Sequence, residues 1–515
     1  MRNGQIILCK DIKLDKNYKN VLNYNETQML SLCSSSDHLV ARDYQYSFIR
    51  ETGEIAVNFK YQQCLNANYI AYQNPDYSNK WFFAFINNVA YVSDSVTRIS
   101  FTIDVWSTWF SYLTPKQCFV VREHVNSDKI GEHTVPENLE TGEYISTTIQ
   151  PTNSPDYEMC FCLTASTNVF ESYGTVNQKI PSGLYYIGLE TTQGILDVVK
   201  IYEQNGQVDA INSVFVIPKD FFIDWKTASN VDGKVSTSVQ FSLDPKTITL
   251  NKPTYVGNQY TPKNKKLLSY PYSFLQVSNH NGTIVNYLWE YFNLLLGGKE
   301  VKFTLRGVLC PSGSFSAFPT DYKNLLANYD DSIQLGKFPI GGFNTDTYTN
   351  WLVQNGANIM LDTITANAGV FGGLLAGSLS SSLSSVNSLA SEVASVYQHS
   401  LVPNQARGNV NTGDYSYYYN LTNLEFKNMS IKNEYAKIID DYFTRFGYKV
   451  NSLKIPNITG RKNWNYIQIG SDEIIFYGAI SNNYLDTLNN IARSGVTIWH
   501  DHNSIGNYNL DNSII

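Results

Sequence analysis

The 515-residue sequence predicts a mainly β, α+β fold: strand-rich domains, an inserted α+β domain and one long apolar loop. Three observations lead there. Segments such as 98–109 alternate apolar and polar residues with period two, as a half-buried antiparallel strand does. Outside the apolar loop, helical spacing marks three stretches, at 192–204, 432–446 and 484–493. Finally, the segment 356–403 has no charged residue between Asp362 and Glu392.

Length alone predicts three or four domains with ample core. Charged residues are 16% of the chain, against roughly 25% in an average soluble domain. The 37 tyrosines favour strands and tolerate interfaces. A net charge of −7 gives no basic surface for sequence-independent nucleic-acid binding. The basic cluster Lys263, Lys265 and Lys266 reads as a solvated loop. Seven cysteines are scattered without a Cys-x-x-Cys pair, which argues against a disulfide framework or zinc site. Cys160 and Cys162 fit one face of a strand as small apolar residues. The N-terminus lacks the apolar core of a signal peptide, so assembly in a reducing cytoplasm is expected.

In chain order, residues 66–85 read as strand, ending in Trp81, Phe82, Phe83 and Phe85, with a turn at Asn87-Asn88. In 98–109, Ile99, Phe101, Ile103 and Val105 share one face, and Ser100, Thr102 and Asp104 the other. A strand at 119–125 precedes an acidic loop at 126–143. Further strands are expected at 158–166, 284–294, 300–308 and 413–426, with Asn281-Gly282 as a hairpin signal. Helix 192–204 aligns Ile195, Val198, Val199 and Tyr202. Helix 432–446 aligns Tyr435, Ile438, Ile439, Tyr442, Phe443 and Phe446 and stops at Gly447. Helix 484–493 turns Leu485, Leu488, Ile491 and Ala492 inward, and 496–499 reads as a last strand.

The apolar loop supplies the candidate functional residues: Ile359, Met360, Leu361, Ile364, Gly369, Val370, Phe371, Gly373, Leu374, Leu375, Gly377, Leu379, Leu383, Val386, Leu389, Val393 and Val396. From Phe371 onward the apolar positions step by three and four, which is helical spacing. Gly369, Gly373 and Gly377 repeat at the interval that lets helices approach closely in a membrane. An ordinary spanning helix needs about 20 predominantly apolar residues, and serines interrupt this run. The Leu, Ile, Phe and Val residues of 364–389 contribute roughly −3 to −5 kcal/mol on an insertion scale, much of it offset by Ser, Thr and Asn. One copy therefore sits near the threshold for entering a bilayer, and several copies acting together exceed it.

Catalytic signatures are missing: there is no phosphate-binding loop, no His-Glu-x-x-His and no Gly-x-Ser-x-Gly. His500-Asp501-His502 is the one metal-like constellation, but no third ligand follows from spacing, and a solvated turn is expected. The carboxylate pairs Glu137/Glu140 and Asp440/Asp441 are candidates for glycan cleavage in principle. No enzyme activity, metal or other cofactor is expected.

The strings NPDYSNKWFFAF (74–85), FTIDVWSTW (101–109), FVVREHV (119–125), KLLSYPYSFLQV (266–277), GKFPIGGFNTDTYTNWL (336–352), RFGYKVNSLKIPN (445–457) and GVTIWHDHNSIGNY (495–508) occur in this order. In that order they resemble the tail knob, or distal tube, proteins of phi29-like short-tailed phages of Gram-positive bacteria, the staphylococcal relatives most closely. The stretch 151–262 departs most. The resemblance implies a hexameric tube at the tail tip, working with other tail proteins. Its six apolar loops would plug the lumen, then enter the host cell membrane as a pore for genome ejection. Phage DNA would cross the lumen without sequence-specific contact. On this basis 1–125 is a tube-forming β domain completed by the C-terminal α+β segment 413–515, 126–265 an outer insert, 266–345 a second tube-forming β domain, and 346–412 the membrane-active loop. Two other readings are a tail-tip cell-wall hydrolase and a receptor-binding protein, the latter using the divergent stretch.

Overall fold

A computed structural model describes residues 2–49, 53–153, 158–170, 184–240, 246–279, 282–307, 314–337, 340–342 and 424–515. The chain divides into two compact units, one from 1–145, 254–272 and 431–515, the other from 146–253 and 273–430. Both are strand-rich, as the alternating patterns predict.

The first unit opens with a closed barrel of β1 (Arg2–Cys9), β2 (Leu39–Ile49), β3 (Glu54–Val57), β4 (Tyr69–Asn74), β5 (Lys80–Ser93) and β6 (Val96–Ile103). Around the barrel the order is β1-β2-β3-β6-β5-β4, antiparallel throughout, so no edge is left unpaired. Every barrel strand contributes to one buried cluster, among them Ile6, Tyr46, Ile55, Tyr72, Phe82 and Ile99, which identifies the filled interior. The alternate residues Ile7, Cys9, Tyr69, Ala71, Phe83 and Phe85 pack outward against Met29, Trp464 and Trp499.

Two sequence expectations fail here for local reasons. Asn87-Asn88 does not turn: β5 runs through it with a register shift between Ile86 and Asn88, and the hairpin closes between Ser93 and Val96. Asn87 instead bonds across the ladder to Thr102 at 3.0 Å. The 98–109 strand stops at Ile103, because Asp104 caps a short helix, Val105–Trp109. Asp104 accepts from Ser107 N–H at 3.1 Å and from the hydroxyls of Ser107 and Tyr69, both at 2.7 Å. Burial, the largest influence, pushes its carboxyl above the ordinary range.

The same unit holds a five-stranded sheet in the order Asn20–Leu22, Val496–Trp499, Trp464–Ile469, Cys118–Glu123, Tyr448–Lys454. Helix Asn433–Phe446 ends at Gly447, whose φ of 66° suits glycine and where a Cβ would stand 2.1 Å from the Glu123 carbonyl oxygen. Its inner face is Ala436, Ile439, Asp440 and Phe443; Ile438, expected inside, is 67% exposed. Helix Asn482–Ser494 buries Leu488, Ile491 and Ala492 as its spacing predicts.

The second unit contains a six-stranded sheet in the order Lys226–Thr227, Lys234–Ser236, Tyr185–Leu189, Met159–Ala165, Ile211–Pro218, Ile340–Gly342. Helix Thr192–Gln204 buries Ile195, Val198, Val199 and Tyr202 as expected, packing with Phe161 and Leu163 from one face of that sheet. Cys160 and Cys162 take the opposite face, in a core with Phe215, Leu275 and Phe303. A second sheet runs Lys246–Asn251, Glu300–Gly307, Ser314–Tyr322, Leu325–Ala327, with Ile333–Lys337 also on Ser314–Tyr322. A third runs Tyr144–Ile149, Glu425–Ile431, Ser273–Ser278, Ile284–Tyr287. Its last two strands form the hairpin signalled around Gly282; Asn281 and the expected strand residues 413–423 lie outside the described residues. The expected strand 284–294 stops at Tyr287, where Trp289–Tyr291 makes a single helical turn.

Candidate functional site

The candidate residues from Ile359 to Val396 all lie outside the described residues. Their attachment points are described. On the N-terminal side, Ile340–Gly342 is an edge strand whose residues pair in register with Phe215, Val214 and Ser213. On the C-terminal side the chain is described again at Leu424, and Glu425–Ile431 pairs with Ser273–Ser278 along its whole length. Leu424 and Phe426 are buried in the same core as Phe215, and Phe426 meets Phe303 with ring centroids 5.6 Å apart. The N-terminal attachment thus pairs with a strand that feeds this core, and the C-terminal one enters it. Among the described residues, no helix is long and apolar enough to cross a membrane.

The other unit carries a buried polar network instead. Glu137 is fully enclosed and accepts from Arg122, from Lys266 at 2.5 Å and from Lys449 N–H at 2.8 Å. Lys266 also donates to the Val135 carbonyl at 2.8 Å, and Arg122 to that of Gly447 at 2.8 Å. Burial pulls the Lys266 ammonium below its usual range, opposed by the Glu137 carboxylate. Lys266 is therefore not in a solvated loop, as the basic cluster suggested: its charge is neutralised by a residue far along the chain. Asp440 accepts from Tyr260 at 2.7 Å, Lys263 N–H at 2.8 Å and Asn264 N–H at 3.0 Å. Asp128 accepts from Tyr448 at 2.8 Å and Lys265 N–H at 3.0 Å. These contacts join the three sequence segments of the unit.

The carboxylate pairs offered for hydrolysis each split: Glu137 and Asp440 are buried in these networks, while Glu140 and Asp441 are exposed. The His500–His502 segment is not a solvated turn. His502 is 1% exposed and its Nε2 accepts from Lys13 N–H at 3.1 Å; the ring of His38 stands edge-on to it, centroids 4.8 Å apart. His500 Nε2 lies 3.0 Å from Asn465 Oδ1. Among the described residues, no group of three His, Cys, Asp or Glu side chains is placed to hold a metal ion.

The sequence reading missed Arg122, within the strand expected at 119–125, and Asp321, whose carboxylate binds the backbone of Leu295 and Leu296. Neither carries a local signal, because the partners of each lie elsewhere in the chain. Leu294 closed the strand expected at 284–294; the signal that would have marked a loop there is the Gly297-Gly298 pair after the three leucines.

A closed N-terminal barrel joined to sheets built for packing defines a structural component of a virion tail once its relatives are considered. Residues 2–114 match the family described as Caudoviral major tail protein N-terminus. Residues 233–513 match the C-terminal domain of the Bacillus phage phi29 tail knob protein gp9. The chain belongs to this tail knob family. It is 25% identical to the tail knob protein gp9 of phage phi29, over 89% of this chain and 90% of that protein. The corresponding protein of Bacillus phage B103 is 24% identical, over 90% of each chain. The fold is also that of the bacteriophage C1 tail knob protein gp12, with a TM-score of 0.63 at 15% identity, covering 99% of this chain and all of that one.

Proposed function

We propose that this tail knob protein forms a hexameric distal tube whose six apolar stretches plug the lumen and then enter the host membrane as a pore for genome ejection. One observation carries the reading: the uncharged run between Asp362 and Glu392, with glycines at Gly369, Gly373 and Gly377. A segment this close to the insertion threshold stays covered inside an assembly and enters lipid collectively once released, its small residues permitting close helix packing. In this reading 1–125, completed by 413–515, and 266–345 build the tube wall. Residues 126–265 face outward, and 346–412 are the membrane-active loop. The particle is assembled in the host cytoplasm with other tail proteins and acts at the cell envelope. DNA crosses the lumen without base contacts, and a chain of net charge −7 offers little to hold its phosphates.

The test uses purified full-length protein. Electron micrographs are expected to show six-fold rings, and the protein to release dye from liposomes. Leu375→Asp with Leu379→Asp is expected to abolish release while leaving the rings intact, because charge is costly in hydrocarbon. Monomers at micromolar concentration, or undiminished release by the double variant, would contradict the proposal.

A further inference from the structure

Residues 294–300 are exposed without a break, and Leu294, Leu295 and Leu296 are 47%, 53% and 71% exposed. A loop displaying three leucines is expected to be loose or to fold its side chains inward, and this one does neither. Leu295 N–H and Leu296 N–H donate to the two carboxylate oxygens of Asp321 at 3.0 and 2.8 Å, and Asp321 is itself 2% exposed. Asn293 N–H donates to the Asp321 carbonyl at 2.8 Å, and Lys323 N–H to that of Tyr291 at 3.0 Å. Asn293 Nδ2 donates to the carbonyls of Gly298 and Glu300 at 3.2 and 2.9 Å. Positive φ angles at Asn293, Gly297 and Gly298 set the bends. The loop is braced at its base by Phe292, 1% exposed, whose ring lies 4.6 Å from that of Tyr322.

Beside it, Tyr322 pairs with Leu325 across a tight hairpin, and Leu325 and Leu326 are 48% and 59% exposed. Asp321 and Tyr322 thus tie the two leucine-bearing loops to one strand end, so the loops that carry the five exposed leucines are anchored side by side. Tyr291 and Tyr329 are exposed as well.

We infer that these loops form a second lipid-contacting tip, separate from the apolar stretch, that docks the protein on an anionic bilayer surface. This rests on the reading that the tail tip meets a membrane. Three features favour lipid over a protein partner. The display is aliphatic, with Tyr at its margin, whereas the anchors of protein interfaces are enriched in Trp, Tyr and Arg and poor in Leu. The N–H groups of Leu295 and Leu296 already have partners, which hydrocarbon demands. Lys299, exposed next to the leucines and without an ion-pair partner among the described residues, is placed to meet headgroup phosphates while its stem lies along the apolar surface. The brace also leads to the attachment of the apolar stretch: Phe292 lies 5.9 Å from Phe303, and Phe303 lies 5.6 Å from Phe426. The tip and that attachment share one core.

The test uses the full chain carrying Leu375→Asp and Leu379→Asp, so that the apolar stretch is disabled. This protein is expected to float with phosphatidylglycerol-containing vesicles without releasing their dye. Adding Leu296→Glu, at the most exposed of the five leucines, is expected to lower flotation about tenfold with folding and oligomeric state unchanged. Lys299→Glu is expected to weaken flotation on anionic vesicles and not on phosphatidylcholine. Absence of flotation, or flotation indifferent to Leu296→Glu, overturns the inference. A change of oligomeric state on Leu296→Glu also overturns it, since the patch would then be a contact between subunits. Dye release by the parent protein is read separately and reports on the apolar stretch alone.

Discussion

Among the described residues, the barrel-containing unit buries Asp104, Arg122, Glu123, Glu137, Lys266, Asp440 and Arg461, whereas the unit that carries the apolar stretch buries Glu290 and Asp321. The first unit draws its three segments together through charges that must find partners. The second is held by an aromatic and aliphatic core, and its buried Asp321 binds the backbone of leucines that stand out in solvent. Buried ion pairs add little net stability, but they penalise mispairing severely. The contrast is between a region whose buried charges must find their partners and a region closed by apolar packing.

The largest effect is expected where that contrast is broken. Glu137→Gln leaves Arg122 and Lys266 facing each other without their carboxylate and is expected to destabilise the first unit by about 3–5 kcal/mol. Hydrogen exchange resolved by segment is the measurement: protection is expected to fall in 118–145, 254–272 and 431–457. Equal loss in 273–307 would mean that the two units do not unfold separately.

Leu305→Ala sharpens the comparison from the other side. Leu305 is 1% exposed in the core of the second unit, and its truncation is expected to destabilise that unit by about 2–5 kcal/mol. Exchange is then expected to quicken in 273–307 and 425–430 and to leave the barrel protected.

The ordinary packing was legible in the sequence, and the polar architecture was not. Strand Glu300–Gly307 and helix Thr192–Gln204 each declare themselves by periodicity, because their buried faces follow directly from backbone geometry, whereas Met159–Ala165 reads as a continuous apolar run buried on both faces. Lys266 and Glu137 do not, since each looks like a surface residue until the fold places the other beside it. Asp104 reads as the polar side of a strand, and only the Tyr69 hydroxyl and the turn after it reveal a cap. Of the candidate site, its attachments at Ile340–Gly342 and Leu424 belong to the described structure, and its own residues do not. The leucines of 294–296 misled differently: the sequence reading ran the strand to Leu294, and Asp321 turns the run outward instead.

Asp321→Asn is expected to have a smaller effect, about 1–3 kcal/mol, because it weakens the acceptor shared by two N–H groups without removing its shape. The loss is expected in protection of 293–300 and not in global unfolding.

The mildest response near neutral pH is to pH itself. Burial and the Arg461 charge lower the His124 pKa to about 3, and burial with the His38 and Lys13 charges lowers that of His502 to about 4. Both are neutral in the folded protein and titrate near 6.5 when unfolded. The unfolded chain therefore binds more protons below pH 6.5, and stability falls progressively between about pH 6.5 and 4. The described part of the second unit contains no histidine, so acid is expected to loosen the barrel-containing unit first. His502→Gln is expected to flatten the pH dependence of that unit's melting temperature.

The central claim is that the uncharged stretch enters the host membrane, and genome delivery tests it most directly. Phage whose tail knob protein carries Leu375→Asp and Leu379→Asp is expected to assemble and adsorb normally, yet deliver no DNA, as read by quantifying phage genome inside washed cells. Delivery at the parental level by such phage would contradict the membrane role and leave the stretch as nothing more than a plug.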